Sequence, residues 1–131
     1  MKAHTGKNNT RIGVFGIGYD VYWGQFPGLL DDLMEKFGVF KEMIPGDMDV
    51  IDYGMVDSPE KAYSAVTAMR CGDLDLVFCN MLTYGTSGTF GTIVRNLDIP
   101  IVLVALQPLK AMNYTKASTY MQLMNDDICA L

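Results

Sequence analysis

Apolar residues fall along this chain in four short runs, and the segments between them carry apolar positions at helical spacing. The run at 74–80 (LDLVFCN) is almost wholly apolar and is followed at once by a polar, glycine-rich stretch. A short apolar run bounded by turn signals suits a strand buried on both faces, as in a parallel sheet. Comparable runs lie at 11–17 (RIGVFGI), 48–53 (MDVIDY) and 100–106 (PIVLVAL), the last without a polar side chain. After the first run, Leu29, Leu30, Leu33, Met34 and Phe37 recur with a helical period, while Asp31, Asp32, Glu35 and Lys36 occupy the outer positions. Pro27 fits the first turn of that helix, where its missing N–H costs nothing, and Gly38 reads as the stop. Ser58-Pro59-Glu60 offers an N-cap, a first-turn proline and an acidic group suited to the helix dipole. The helix it opens buries Ala62, Ala65, Val66 and Met69 and ends at Gly72. Two more helices are predicted, over 90–97 and from about 115 to 124.

This strand–helix alternation, with every link long enough for a crossover, predicts an α/β fold. It is a three-layer, Rossmann-like (flavodoxin-like) parallel sheet with helices on both faces. The expected strand order is 2-1-3-4, with the switch point between the first and third strands. The loops after Ile17 and Asn80 then face one crevice at the carboxyl ends of the strands. The loop after Asn80 contains Thr83, Tyr84, Gly85, Thr86, Ser87, Gly88 and Thr89, and Thr86, Ser87 or Thr89 could each cap the next helix.

Composition narrows the function classes. The chain has 131 residues, half of them hydrophobic, which is enough for one real core. Its formal net charge is −5 and its basic residues are scattered, which argues against a nucleic-acid partner. No apolar run approaches the ~20 residues needed to cross a bilayer, so no membrane partner is expected. Residues 1–10 (MKAHTGKNNT) lack the apolar core of a secretory signal and read as a disordered polar tail, leaving 11–131 as the domain. Cys71, Cys79 and Cys129 are odd in number and widely spaced, as suits reduced thiols in a cytoplasm.

Three chemistries compete for the crevice. The segment YGTSGTFGT could form a phosphate or flavin nest at a helix N-terminus, yet Val21 stands where GxGxxG needs its third glycine, and no P-loop lysine is present. A phosphoacceptor receiver needs acidic residues where Gly16-Ile17-Gly18 and Asn80 stand, and is set aside. The third is a sugar site, in which aromatic faces stack on C–H surfaces while amides, hydroxyls and carboxylates bind the sugar hydroxyls. Tyr19, Asp20, Tyr22, Trp23, Gln25 and Phe26 supply both kinds of group in one short loop, with Asn80, Thr83 and Tyr84 across the crevice. The bland alternative is that Trp23 and Phe26 merely cap the core beneath the first helix.

The segments GIGYDVYWGQFPGLL, VFCNMLTYGTSGT and PIVLVALQPLKAMNY, in that order, resemble the N-terminal domain of L-arabinose and L-fucose isomerases. The likeness covers residue 11 to the end. It implies a sugar partner, aldose–ketose isomerisation, and a homo-oligomer in which this domain helps line the substrate pocket. It also implies manganese or another divalent metal held by downstream domains of the same protein. By position, the resemblance implicates Tyr19 and Val21 in substrate contact, with Tyr22 close by. Two departures leave the sugar open: Tyr19 stands where those enzymes often have Gln, and Asn125 is not followed by the family's His.

No metal site or catalytic residue is expected within this chain. The sole histidine, His4, lies in the tail, and Glu35, Glu42 and Glu60 are far apart in solvated settings. Asp126 and Asp127 are adjacent, so on a helix they diverge, and the ten methionines read as adaptable core and interface. The reading is therefore the N-terminal, pocket-lining and oligomerising domain of a longer isomerase-like protein, inert alone. The alternative is a stand-alone sugar- or nucleotide-binding module. In either case the apolar strand at 100–106 is expected to end the sheet, covered by self-association or by the 125–131 tail.

Overall fold

The computed structural model describes residues 9–125. Four strands form one all-parallel sheet: β1 (Arg11–Ile17), β2 (Asp49–Val56), β3 (Leu76–Met81) and β4 (Ile101–Val104). Their order is β2-β1-β3-β4, as the sequence predicts. The register sets Gly13 between Ile51 and Val77, and Asn80 between Gly16 and Val104. Five helices complete the described chain: α1 (Val21–Gln25), α2 (Leu29–Glu42), α3 (Pro59–Cys71), α4 (Ser87–Asn96) and α5 (Thr119–Asn125). None is long and apolar enough to cross a membrane.

Two apolar clusters lie on opposite faces of the sheet. On one face Ala62, Ala65, Val66 and Met69 of α3 and Ile93 of α4 pack on Phe15, Ile17, Val77, Cys79 and Met81. On the other, Leu29, Leu33, Phe37 and Phe40 of α2 and Leu123 of α5 pack on Ile12 and Val14, with Phe78 and Val104 beside them. β1 is paired on both edges and covered on both faces, so Ile12 through Ile17 are all buried. Polar ties hold α5 to this arrangement. Lys36 Nζ donates to the carbonyls of Leu82 (3.3 Å) and Met124 (3.2 Å). The Tyr120 hydroxyl donates to the Asp32 carboxylate, a bond that pushes the phenol up to about 12.

Several boundaries differ from the sequence reading, each for a non-local reason. The stretch read as a loop after Ile17 contains α1, and the helix expected from Pro27 to Gly38 is α2, which Gly28 caps at φ 87° and which runs on to Glu42. Phe40 explains the extension, because it is buried against Phe78 with the rings 5.8 Å apart and edge-on. That burial outweighs the ~1 kcal/mol an interior glycine costs a helix. β2 continues past Tyr53 to Val56 through a bulge, where the register with β1 slips between Val14 and Gly16. Gly54 takes φ 73° there, and its N–H donates to Asp52 Oδ1 at 2.8 Å. β4 stops at Val104 instead of running to Leu106, because its ladder with β3 closes at the Asn80–Val104 pair. The helix expected at 90–97 starts earlier, with Thr86 as its cap, and α5 starts at Thr119, later than expected. The tail expected at 1–10 falls outside the described residues except for Asn9 and Thr10, and so does the expected cover at 125–131 except for Asn125.

The two glycines should respond to alanine with opposite signs. Gly38 has open space around its Cα inside a helix, so Gly38→Ala should stabilise by up to about 1 kcal/mol. Gly54 sits at positive φ, so Gly54→Ala should cost about 1–2 kcal/mol. Urea midpoints for the two variants check both signs.

Candidate functional site

The carboxyl end of β1 is where the loops converge. A Cβ on Gly16 would lie 2.4 Å from Leu82 Cδ1, and one on Gly18 would lie 2.9 Å from Met55 Sδ and 3.1 Å from the Trp23 ring. A Cβ on Gly85 would lie 2.8 Å from Ile17 Cγ1 and 3.2 Å from the Gly18 carbonyl oxygen. Absent side chains at these three positions let α1, β2 and the loop after β3 close directly on the end of β1. The switch-point crevice is thus bounded by the β1–α1 loop on one side and the β3–α4 loop on the other.

Three tyrosines from these loops meet. The Tyr19 ring lies 5.2 Å from Tyr22 and 5.7 Å from Tyr84, both edge-on, and Tyr22 lies 6.4 Å from Tyr84. Phe26 adds an edge-on contact to Tyr22 at 6.0 Å. Edge-on packing at these separations is the favoured geometry for aromatic pairs. All three tyrosines are half-buried. Val21 and Gln25 lie on α1 and are exposed, as is Asp20, which precedes that helix without capping it through its side chain.

Trp23 does not join the tyrosines. Its indole Nε1 donates to Asp57 Oδ2 at 2.8 Å, in the loop after β2, and its ring covers Gly18. Asp57 is 2% exposed, and Lys61 Nζ reaches its two carboxylate oxygens at 2.9 and 3.1 Å. The backbone reinforces the same link: Gly18 N donates to Val56 O, and Asp20 N to Asp57 O at 3.1 Å. Trp23 is therefore a brace that fixes α1 against β2, and the cluster expected to include it forms without it. Asp57 escaped the sequence reading. Its one available signal was its position at the end of an apolar run, directly before the Ser58 cap.

Asn80 and Thr83 lie at the carboxyl end of β3, the strand end that also carries Tyr84. Both are buried, 1% and 0% exposed. Neither Asn80 Oδ1, Asn80 Nδ2 nor Thr83 Oγ1 has a hydrogen-bond partner. Leaving such a group unsatisfied costs about 1–3 kcal/mol, so two here are a notable expense for the fold. The neighbouring α4 N-terminus is satisfied from within: Thr86 Oγ1 accepts from Thr89 N at 3.3 Å and lies 2.9 Å from Thr89 Oγ1. Of the caps offered by the sequence, Thr86 is the one used.

Among the described residues no three His, Cys, Asp or Glu side chains come together, so none of them fits a manganese ion. Glu35, Glu42 and Glu60 are all exposed. Cys79 is buried on the α3 face of the sheet, and burial pushes its thiol up to about 12. Two cavities lie away from the crevice. One, of about 630 Å³, is bounded by Lys110, Tyr114, Ser118, Gln122 and neighbouring residues beside α5. The other, of about 300 Å³, is an apolar groove between α4 and β4.

No protein-family model and no curated protein matches the chain. Among solved structures, it is similar to the ABC domain in complex with L-Trp from Streptococcus pneumonia, at 15% identity and a TM-score of 0.43. That match takes in 76% of this chain and 31% of the other, so the chain spans about a third of that protein's length. A likeness of this degree carries no argument about function.

Trp23→Phe removes a donor to a buried carboxylate and should cost about 1.5–3 kcal/mol in urea unfolding. Lys61→Ala should cost a comparable amount, about 1.5–3 kcal/mol, because it takes the cation from a carboxylate whose side chain is 3% exposed. Thiol chemistry gives a separate check. With Cys129 replaced by serine, a thiol reagent at pH 8 should label exposed Cys71 quickly. Cys79, protonated until far higher pH and buried, should react only in denaturant.

Proposed function

We propose that the chain is the N-terminal domain of an aldose–ketose isomerase-like protein of the L-arabinose/L-fucose isomerase type. In this reading it works in the cytoplasm, lines a sugar pocket, contributes to oligomerisation and is inert alone. The observation that carries the reading is the pair of buried, unsatisfied polar side chains, Asn80 and Thr83, on the strand end that bears Tyr84. A sugar hydroxyl both donates and accepts, and so answers a carboxamide with both atoms free. The phenols of Tyr19, Tyr22 and Tyr84 supply the aromatic surface beside it. The motif order noted in the sequence supports the same reading. Bound phosphate is a poorer fit, since Thr86 already caps the helix that would receive it.

When bound in such an isomerase, a divalent metal polarises the sugar's carbonyl and hydroxyl oxygens. No ligand set for it is found among the described residues, and in this reading its ligands belong to other domains. This chain's own part is to hold the sugar: Asn80 and Thr83 fix its hydroxyls, and the tyrosines exclude water from one side. The brace between Trp23 and Asp57 holds the loop that carries Tyr19 and Tyr22.

Saturation-transfer NMR with L-arabinose, L-fucose and D-arabinose tests this on the purified chain. One wall of a pocket should bind weakly, with Kd of about 1–10 mM. Asn80→Leu, close in shape, should abolish the transfer while raising stability by about 1 kcal/mol or more, because it removes an unsatisfied amide. Absence of transfer from all three sugars would overturn the proposal. So would an Asn80→Leu variant that binds like the parent chain.

A further inference from the structure

We propose that the outer edge of β4 and the groove beside it form a docking surface for a second copy of this chain, the two β4 strands pairing antiparallel across a two-fold axis. It gives the oligomerisation part of the proposed function a surface, but it stands on the sheet edge alone. Failure of sugar binding leaves it intact, and its own failure leaves the sugar reading intact.

β4 ends the sheet, and among the described residues no strand pairs with its outer side. Val102 and Leu103 are 41% and 46% exposed, large values for apolar residues on a parallel strand. The strand carries none of the usual protections of an edge: no charge, no proline within it and no bulge. Beside it lies the apolar groove of about 300 Å³, formed by Phe90, Val94 and Leu97 of the α4 side with Ile99, Ile101 and Leu103. Val94 is 43% exposed on its rim.

Chain topology argues against a strand following α5 as the occupant. The link from β1 to β2 steps one way across the sheet and passes through α2, on one face. The links through α3 and α4 step the other way and pass over the opposite face, so all three crossovers have the same hand. Right-handed crossovers are close to universal. To place a further strand outside β4, the next helix would have to lie on the α3–α4 face. α5 instead packs with α2, where Leu123 joins the other cluster. A strand entering from α5 onto the open edge would need a left-handed crossover.

Charge then singles out this edge as the place where a second copy can approach. The chain carries a formal net charge of −5, which opposes self-association over most of its surface. From Ile99 to Leu109 there is no charged residue in eleven positions. A two-fold axis perpendicular to the sheet sets the β4 strands antiparallel and keeps each face continuous with the same face of its partner. The two α4 grooves then lie side by side, and the sheet becomes eight-stranded with no like charges opposed along the seam.

Light scattering on the full 131-residue chain should give twice the 14.5 kDa of one copy. Leu103→Lys and Val94→Lys should each weaken the dimer by about tenfold or more, since like charges would face each other. Circular dichroism checks that both variants are folded. A control, Tyr63→Lys on α3, should leave the mass unchanged. For orientation, Val102→Cys and Leu103→Cys are made separately with Cys71 and Cys129 replaced by serine. One of the two should cross-link rapidly to its own copy, because directly opposed residues lie about 4.5–5.5 Å apart. A monomeric parent chain overturns the proposal. So does a dimer that survives both lysine variants, or one in which neither cysteine cross-links faster than Tyr63→Cys.

Discussion

The carboxyl end of β1 has no room for a side chain at Gly16 or Gly18, and the architecture of the crevice follows from that. Leu82 occupies the space a Cβ on Gly16 would need, Trp23 and Met55 crowd Gly18, and Gly85 rests on Ile17. Three segments distant in sequence can therefore approach one strand end, which is what brings Tyr84 within ring contact of Tyr19 and Tyr22. Any larger residue at Gly16 would displace Leu82, a fully buried member of the α2-side cluster. Site and core are coupled through the same few ångströms.

The loops over that strand end are held by two different kinds of force. On the β2 side the tie is polar: a buried carboxylate, Asp57, accepts from the Trp23 indole and pairs with Lys61. A charge at that depth is tolerable because Oδ2 accepts from Trp23 and Lys61, and the Lys61 ammonium pairs with the carboxylate through Oδ1. On the β3 side the loop is held by packing and by the Thr86 cap, while Asn80 and Thr83 go unsatisfied. A fold that pairs a buried carboxylate with a cation yet leaves a buried amide without a partner two strands away distributes stability unevenly. Sites that bind polar ligands are where such unevenness is expected.

The two faces of the sheet are also unequal at the open edge. α5 closes the α2 side by packing near Val104, whereas on the α4 side the groove stays lined by exposed apolar residues. The handedness of the crossovers thus bears on association as well as fold. It decides which face the last helix can cover, and so which part of β4 is left open.

Much of the fold was legible in the sequence because its causes are local. Apolar runs of strand length, helical spacing of Leu29, Leu33 and Phe37, and the caps at Ser58 and Thr86 depend on residues within a few positions of one another. From them the parallel sheet and its 2-1-3-4 order follow, since right-handed crossovers leave few alternatives. The sequence also pointed to the loops after Ile17 and Asn80, and the tyrosines on those loops do meet. What it could not decide were outcomes set by residues far apart. Trp23 turned to Asp57, 34 positions away, because a buried carboxylate needs a donor more than an aromatic cluster needs a fourth ring. Phe40 carried α2 through Gly38 because Phe78 lay opposite. Gly54 took a positive φ because the pairing of β2 with the distant β1 slips between Val14 and Gly16 at that point. The isolation of Asn80 is of the same kind: the lack of a partner is a property of everything around it, and no window of sequence contains that.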